Sequence, residues 1–385
     1  MIESGIFEPI EFGGVKLNNR ILRAATHEGM ADENGCPTDR LTSLYVRLAK
    51  GGIGGIITGF IAVSKDGAST DPGMCVFDDE SKLPEFSKMV DSVHGAGAPI
   101  IAQIVHCGQS GVMGKAGSPK ALSKEQIRQI EEDFIHTAVL AKKAGFDGVE
   151  LHIAHGYLLS AFVSSQLNLR KDEYGGSTEN KYRIIHEIMQ GIRKELPDYS
   201  VFAKINGTEK SRKGIKIPES VEIAKMLEQD GASAIEVSSN TFDENLGPDR
   251  GDVPVDMILA MYPGIKDLPG FMKKIMPPVI RKLKAPDDPQ HLYNVPAAKA
   301  IKDAAGIPVI VCGGIRTKAD IEQIIENDRI DAVSLCRPLI LEADLVNKYK
   351  TGKPEEPKCI ECNYCLMGIL ENPLRCYYGK VPKEK

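Results

Sequence analysis

Short apolar segments alternate along this chain with longer segments whose apolar residues recur at helical spacing. Apolar runs without a polar face are typical of parallel strands that are buried on both sides. The runs predict eight strands, at 20–26, 53–58, 99–105, 147–153, 201–206, 234–238, 308–312 and 331–335. The intervening spacing predicts helices at 41–50, 123–145, 179–196, 218–230 and 295–305, and a short helix from Thr317. Strands that alternate with helices indicate an α/β fold.

Two segments depart from this alternation. Residues 7–18 alternate weakly around Gly13 and Gly14, which predicts an N-terminal hairpin. Residues 240–291 contain eight prolines and predict a long irregular insertion after the sixth strand. We expect this insertion to overhang the substrate, with Tyr262 or a neighbour shaping selectivity. Its basic residues either meet an anionic ligand or form a solvated face.

Composition narrows the class of protein. The 385 residues are 42% hydrophobic and 26% charged, which is ample material for the core of a globular enzyme. A net charge of −5 provides no electrostatic reason to bind nucleic acid or an anionic membrane. The first residues lack a basic segment followed by an apolar run, and no stretch approaches ~18 apolar residues. We therefore expect a soluble, cytoplasmic protein.

The candidate chemistry lies at the end of the fourth predicted strand. His152, His155 and Tyr157 follow one another at the carboxyl end of the run at 147–153. In a parallel α/β barrel, the carboxyl ends of the strands carry the active site. Two imidazoles and a phenol at that end can hydrogen-bond a carbonyl group and deliver a proton.

The residues after this cluster extend the pattern. The order His-x-x-His-Gly-Tyr is followed by Asn168, Arg170, Asp172, Tyr174, Gly175, Gly176, Ser177, Glu179, Asn180 and Arg183. This combination closely resembles the old yellow enzyme family of FMN-dependent ene-reductases, and within it the branch that contains 2,4-dienoyl-CoA reductase. The resemblance implies a (β/α)8 TIM barrel at residues 1–349, with an N-terminal hairpin, a capping insertion after strand six and a cysteine-rich tail at residues 350–385.

The resemblance also implies which residues bind FMN. Gln103 matches the family glutamine that pairs with the flavin pyrimidine, and a primary amide offers the donor and acceptor which that edge requires. Lys204 stands where the family commonly has an arginine facing flavin N1 and O2. Four further positions lie at the ends of strands one and two, beside the flavin ring: Ala25, Thr26, His27 and Gly59. Four more follow strands seven and eight, where such barrels usually bind phosphate: Gly313, Gly314, Cys336 and Arg337.

Four of the nine cysteines are crowded near the C-terminus. Cys359, Cys362, Cys365 and Cys376 have a spacing that can supply four thiolates to zinc or to an iron–sulfur cluster. The motif is similar to that of dienoyl-CoA reductase and trimethylamine dehydrogenase, where it holds a four-iron cluster, but its last two gaps are each one residue shorter. An iron–sulfur cluster, a zinc ion and metal-free thiols remain open alternatives.

The family implies a specific reaction. Hydride would pass from N5 of reduced FMN to the β-carbon of an α,β-unsaturated carbonyl compound, while His152 and His155 hold the carbonyl oxygen and Tyr157 protonates the α-carbon. NADH, NADPH or an electron-donor protein would reduce the flavin, and we expect a homo-oligomer. Two alternatives remain: an amine dehydrogenase or demethylase on the same barrel, and a flavin and iron–sulfur electron-transfer subunit without substrate chemistry.

Overall fold

The protein is a closed barrel of parallel strands. The computed structural model describes residues 5–241, 250–262, 264–282, 291–352 and 356–380. Its strands are β1 Ile10–Phe12, β2 Val15–Leu17, β3 Ile21–Arg23, β4 Gly55–Ile57, β5 Ile61–Ala62, β6 Ile100–Val105, β7 Gly148–Ile153, β8 Ser200–Thr208, β9 Ala234–Ser239, β10 Val309–Cys312 and β11 Ala332–Leu335. Strand β11 pairs with β3 and β4 pairs with β6, so the eight predicted strands form a ring. The predicted (β/α)8 barrel is therefore confirmed, and β5 is an unpredicted addition beside β6.

Helices surround the ring. They are α1 Asp39–Lys50, α2 Leu83–Gly95, α3 Lys124–Lys143, α4 Leu158–Val163, α5 Thr178–Glu195, α6 Ile217–Gln229, α7 Val255–Met261, α8 Gly270–Ile275, α9 Pro277–Arg281, α10 Val295–Ala304, α11 Lys318–Glu322, α12 Arg337–Leu341, α13 Leu345–Lys350 and α14 Tyr364–Gly368. Ser123 and Gln126 form a capping box at the start of α3, which satisfies backbone groups that the first turn leaves unpaired. Helix α4 begins directly after Tyr157.

The N-terminal hairpin closes one end of the barrel. Phe12, Val15 and Leu17 form a buried cluster with inward-facing residues of the barrel strands. The Phe12 and Phe202 rings lie 6.4 Å apart. The predicted hairpin is confirmed, and it lies at the mouth opposite to the carboxyl ends of the strands.

The insertion after β9 is more regular than its proline content suggests. Helices α7, α8 and α9 lie within it, although residues 242–249, 263 and 283–290 fall outside the described part of the chain. Pro254 and Pro269 directly precede α7 and α8, and α9 begins at Pro277. Proline is compatible with these positions because a first-turn N–H has no helical acceptor. The prolines therefore start helices here, and the expectation of an irregular segment was wrong for these stretches.

The cysteine-rich tail packs against the barrel. Ile369 and Leu374 join the main hydrophobic core, and Tyr377 packs with Met257 and Met261 of α7. The Leu374 amide donates to the Glu28 carbonyl at 2.8 Å. The proposed boundary at residue 349 is thus followed by a segment that shares the core of the barrel. None of the helices in the described ranges is long and apolar enough to span a bilayer.

Candidate active site

The three residues predicted to be catalytic come together where β7 ends. The His152 ring centroid lies 5.0 Å from that of His155 and 4.9 Å from that of Tyr157, with both pairs in edge-on arrangements. His155 has a φ of 66° and Gly156 a φ of 84°, so the chain turns sharply between strand and helix. A left-handed conformation at a non-glycine residue is uncommon and recurs at functional sites.

Hydrogen bonds and burial determine the state of the two histidines. Burial lowers the pKa of His152 well below its usual value, and the Lys204 charge lowers it further. Burial also lowers the pKa of His155, with additional contributions from His152 and Lys204. The Ala154 amide donates to Nδ1 of His152 at 3.3 Å, so the neutral ring carries its proton on Nε2. His155 Nε2 lies 2.7 Å from the Ser238 hydroxyl. Both imidazoles are neutral, and His152 is a hydrogen-bond donor through Nε2.

An aromatic side chain connects this cluster to the loop after β3. The Phe60 ring stacks on His27 with centroids 5.2 Å apart, and it lies 5.4 Å from the Tyr157 ring. The His27 Nε2 atom lies 3.2 Å from the Pro72 carbonyl oxygen. Burial is the main cause of the lowered pKa of His27, which is therefore also neutral. Phe60 thus forms an apolar wall between His27 and the residues that follow β7.

A buried charge pair holds the loops after β3 and β4. The Arg23 guanidinium lies 2.6 Å from the Glu28 carboxylate, and the Tyr45 hydroxyl donates to that carboxylate at 2.6 Å. The Gly59 amide donates to it at 3.0 Å. A Cβ at position 59 would overlap the Glu28 carboxylate, which explains the glycine there. This network positions Ala25, Thr26 and His27, and the sequence analysis did not identify it.

Gln103 and Lys204 face the interior of the barrel together with residues that the sequence analysis missed. Gln103 Nε2 donates to Glu150 Oε2 at 2.6 Å, and Lys204 Nζ lies 2.9 Å from Glu236 Oε2. Ser334 donates to the other oxygen of Glu236. Glu150 and Glu236 are fully buried within β7 and β9, and an acidic residue inside a predicted buried strand was the available signal.

The interior fits the pyrimidine edge of a flavin. Gln103 Oε1 is buried and lacks a hydrogen-bond partner among the described residues, so an acceptor is available. A buried acceptor without a partner is costly, and a ligand N–H would satisfy it. Lys204 adds a buried positive charge, since nearby acidic groups raise its pKa against the opposing effect of burial. These two side chains are suited to hold the polar edge of FMN.

The loops after β10 and β11 contain the predicted phosphate residues. Gly313 and Gly314 have φ values of 103° and 70°, and a Cβ on Gly313 would lie 2.6 Å from the Tyr293 ring. The Thr26 hydroxyl lies 2.9 Å from the Cys336 sulfur, so the first and last strands end side by side. The two glycines supply the left-handed turn on which a phosphate-binding loop depends.

Arg337 binds the C-terminal tail in this structure. Its guanidinium donates to the Arg250 carbonyl and, at 2.7 Å, to Asn363 Oδ1, and it lies 3.3 Å from the Glu361 carboxylate. The same carboxylate lies 3.7 Å from Arg316. The predicted phosphate arginine is therefore also a tail anchor, which the order of residues along the chain did not indicate.

The four tail cysteines are partly buried. Within the residues that the structure describes, no three histidine, cysteine, aspartate or glutamate side chains are grouped so that they could hold a metal ion. The predicted iron–sulfur or zinc site is therefore not supported by this arrangement of the thiols.

Comparison with known proteins places this site in a family. Residues 5–117 and 109–246 match the model described as the NADH:flavin oxidoreductase / NADH oxidase family. The chain is 31% identical over 384 residues to 4,4'-dithiodibutanoate disulfide reductase of Rhodococcus erythropolis, covering 94% of this chain and 93% of that protein. It is also 31% identical to an NADH oxidase of Thermoanaerobacter brockii, over 98% of this chain and 56% of that protein.

A solved structure provides a third comparison. The complex of 2-naphthoyl-CoA reductase with 2-naphthoyl-CoA superposes with a TM-score of 0.79 at 26% identity, covering 97% of this chain and 56% of that chain. The present chain therefore spans about half the length of this reductase and of the NADH oxidase. The sequence-based resemblance is confirmed: the chain belongs to the NADH:flavin oxidoreductase family of old yellow enzyme relatives, and it is an oxidoreductase of this flavin- and NAD(P)H-dependent group.

Proposed function

We propose that this protein is an FMN-dependent ene-reductase that acts on α,β-unsaturated carbonyl compounds. Bound FMN supplies hydride chemistry when it has been reduced by NADH, NADPH or an electron-donor protein. The observation that carries the proposal is the cluster of His152, His155 and Tyr157 at the open mouth of the barrel, with rings about 5 Å apart. The side chains of this cluster bind the substrate carbonyl and donate the proton.

The two histidines hold the substrate carbonyl. His152 carries its proton on Nε2 because Nδ1 accepts from the Ala154 amide, so Nε2 donates to the carbonyl oxygen. His155 is held by Ser238 at 2.7 Å and neighbours the same position. Neutral donors in a buried site stabilise the negative charge that develops on oxygen, because little solvent competes with them.

Tyr157 is the proposed proton donor. Its side chain is 7% exposed and borders both His152 and Phe60, so bulk water has little access to its hydroxyl. A donor held beside the substrate carbon replaces a diffusional encounter with a positioned transfer. The Phe60 ring lies against His27 and Tyr157 and would form the apolar side of the substrate site.

The test is the reoxidation of anaerobically reduced enzyme by substrate. Enones, enoates, enoyl-CoA esters and steroids would be screened by the recovery of flavin absorbance, after FMN release has been verified by chromatography. Tyr157→Phe should slow this half-reaction by about 10²- to 10⁴-fold and leave reduction by nicotinamide nearly unchanged. Tyr199→Phe is the matched control, because Tyr199 is buried just before β8, at the opposite end of the barrel.

Two results would contradict the proposal. A protein that binds no FMN would remove its basis. Unchanged alkene turnover in the Tyr157→Phe variant would assign the proton to another group.

Disulfide reduction is a second candidate reaction, because the Rhodococcus relative with that name matches 94% of this chain. A dithiodialkanoate added to the same screen distinguishes the two substrate classes. Oxidation of an amine substrate would favour the amine dehydrogenase reading. A flavin that turns over only with a partner protein would favour the electron-transfer reading.

A further inference from the structure

The barrel interior holds two carboxyl groups and one ammonium group. Glu150 and Glu236 are both fully buried, and Lys204 is 3% exposed. Glu236 is fully satisfied, since Lys204 Nζ lies 2.9 Å from one oxygen and Ser334 donates to the other. These contacts favour the ionised form of Glu236, because charge-assisted hydrogen bonds stabilise a carboxylate.

Glu150 has a different environment. It accepts one hydrogen bond, from Gln103 Nε2 at 2.6 Å, and its Oε1 has no partner among the described residues. Because Lys204 is already paired with Glu236, a second carboxylate would be an uncompensated buried charge, which is strongly unfavourable. Burial and the Glu236 charge raise the pKa of Glu150 well above its usual value, and Lys204 and Gln103 only partly oppose this.

The hydrogen bond from Gln103 to Glu150 determines which atom of the Gln103 amide remains available to a ligand. A primary amide has one acceptor and one donor group. Glu150 accepts from Nε2, so Oε1 remains the group available to a ligand. An amide that presents an acceptor matches the N3–H of a flavin pyrimidine, whereas the flipped amide would present two donors to it.

We propose that Glu150 and Glu236 are positioning residues with opposite charge states. Glu150 is an uncharged carboxylic acid that holds Gln103 with its carbonyl oxygen toward the flavin, and Glu236 is the carboxylate that holds Lys204 and partly offsets its charge. The flavin half of this inference rests on the proposed function, whereas the protonation of Glu150 does not.

The protonation of Glu150 is tested by infrared spectroscopy of the purified protein. The variant Glu131→Gln serves as the background, because the pKa of Glu131 is also raised, to about 9. At pH 7 a band from a protonated carboxylic acid should be present in this background and absent when Glu150→Gln is added. The double variant Lys204→Met, Glu236→Gln keeps the charge of the interior balanced, so it provides a second protein in which the band should persist. Absence of the band in the Glu131→Gln background, or its retention when Glu150→Gln is added, would overturn the proposal.

The positioning role is tested on bound FMN. Glu236→Gln in the Glu150→Gln background should raise the midpoint potential of the flavin, because no carboxylate then offsets the Lys204 charge, which stabilises the reduced, more negative form. Glu150→Gln should leave the potential near the native value, because it exchanges one neutral group for another. Glu150→Leu should weaken FMN binding about tenfold, since no acceptor then selects one orientation of the Gln103 amide.

The control is Glu131→Gln, which alters a buried glutamate on the outer helix α3 and should change neither quantity. A rise in potential in Glu150→Gln alone would mean that Glu150 is ionised in the native chain, which contradicts the proposal. Failure of the native chain to bind FMN would refute the proposed function while leaving the infrared result interpretable on its own.

Discussion

Replacing Glu28 with glutamine should destabilise the protein by about 3–5 kcal/mol, because a buried arginine would lose its counter-charge. The Arg23 and Glu28 side chains are only 4% and 8% exposed. In the variant, the guanidinium would keep its hydrogen bonds to the Ile57 and Thr26 carbonyls but would face no anion. Arginine cannot release its proton to relieve this, so the penalty appears in the free energy of unfolding.

The same geometry predicts a graded series. Tyr45→Phe removes one hydrogen bond to the carboxylate and keeps the charge pair, so it should cost about 1.5–3 kcal/mol. Asp39→Asn is the matched control, because its pair with Lys88 has side chains that are 85% and 67% exposed. An exposed pair contributes about 0–1 kcal/mol.

Thermal and urea unfolding, followed by circular dichroism, measure the series. An unfolding entropy of about 2.1 cal/mol/K per residue gives ~0.8 kcal/mol/K for this chain, so Glu28→Gln should lower the midpoint by roughly 4–6 °C. A decrease no larger than that of Asp39→Asn would refute the reasoning, since burial of the pair would then have no measurable effect. Tyr45→Phe should fall between the two.

Three further predictions concern charge and the tail. Burial and the neighbouring Glu187 raise the pKa of Glu131 from 4.5 to about 9. The contribution of Glu131 to stability is therefore present below pH 4.5 and is lost as pH rises toward 9. In Glu131→Gln, the temperature midpoint of unfolding should fall less steeply over that pH range. Glu361→Gln should speed proteolysis of the tail, because Arg337 loses its anion, whereas Glu371→Gln at the more exposed pair with Lys266 should not. Elemental analysis of anaerobically purified protein tests the tail thiols: if they hold an iron–sulfur cluster, the native chain contains iron with matching sulfide and Cys362→Ala loses both.

The sequence by itself determined the architecture. Eight apolar runs separated by helical segments predicted every strand of the ring to within a few residues, because burial on both faces leaves a local mark on each strand. The position of His152, His155 and Tyr157 was equally predictable, since these residues follow directly from the end of one strand.

Tertiary structure decided the partners of the charged groups. Glu150 and Glu236 lie on β7 and β9, and only the pairing of both strands with β8 sets them around Lys204. Likewise, Glu361 reaches Arg337 only because the tail folds back over the barrel. The spacing of the tail cysteines gives no indication of this ion pair. Periodicity records which face of an element is buried, because that depends on neighbours along the chain. Hydrogen bonds and charge compensation depend on atoms that only the folded chain brings within 3 Å.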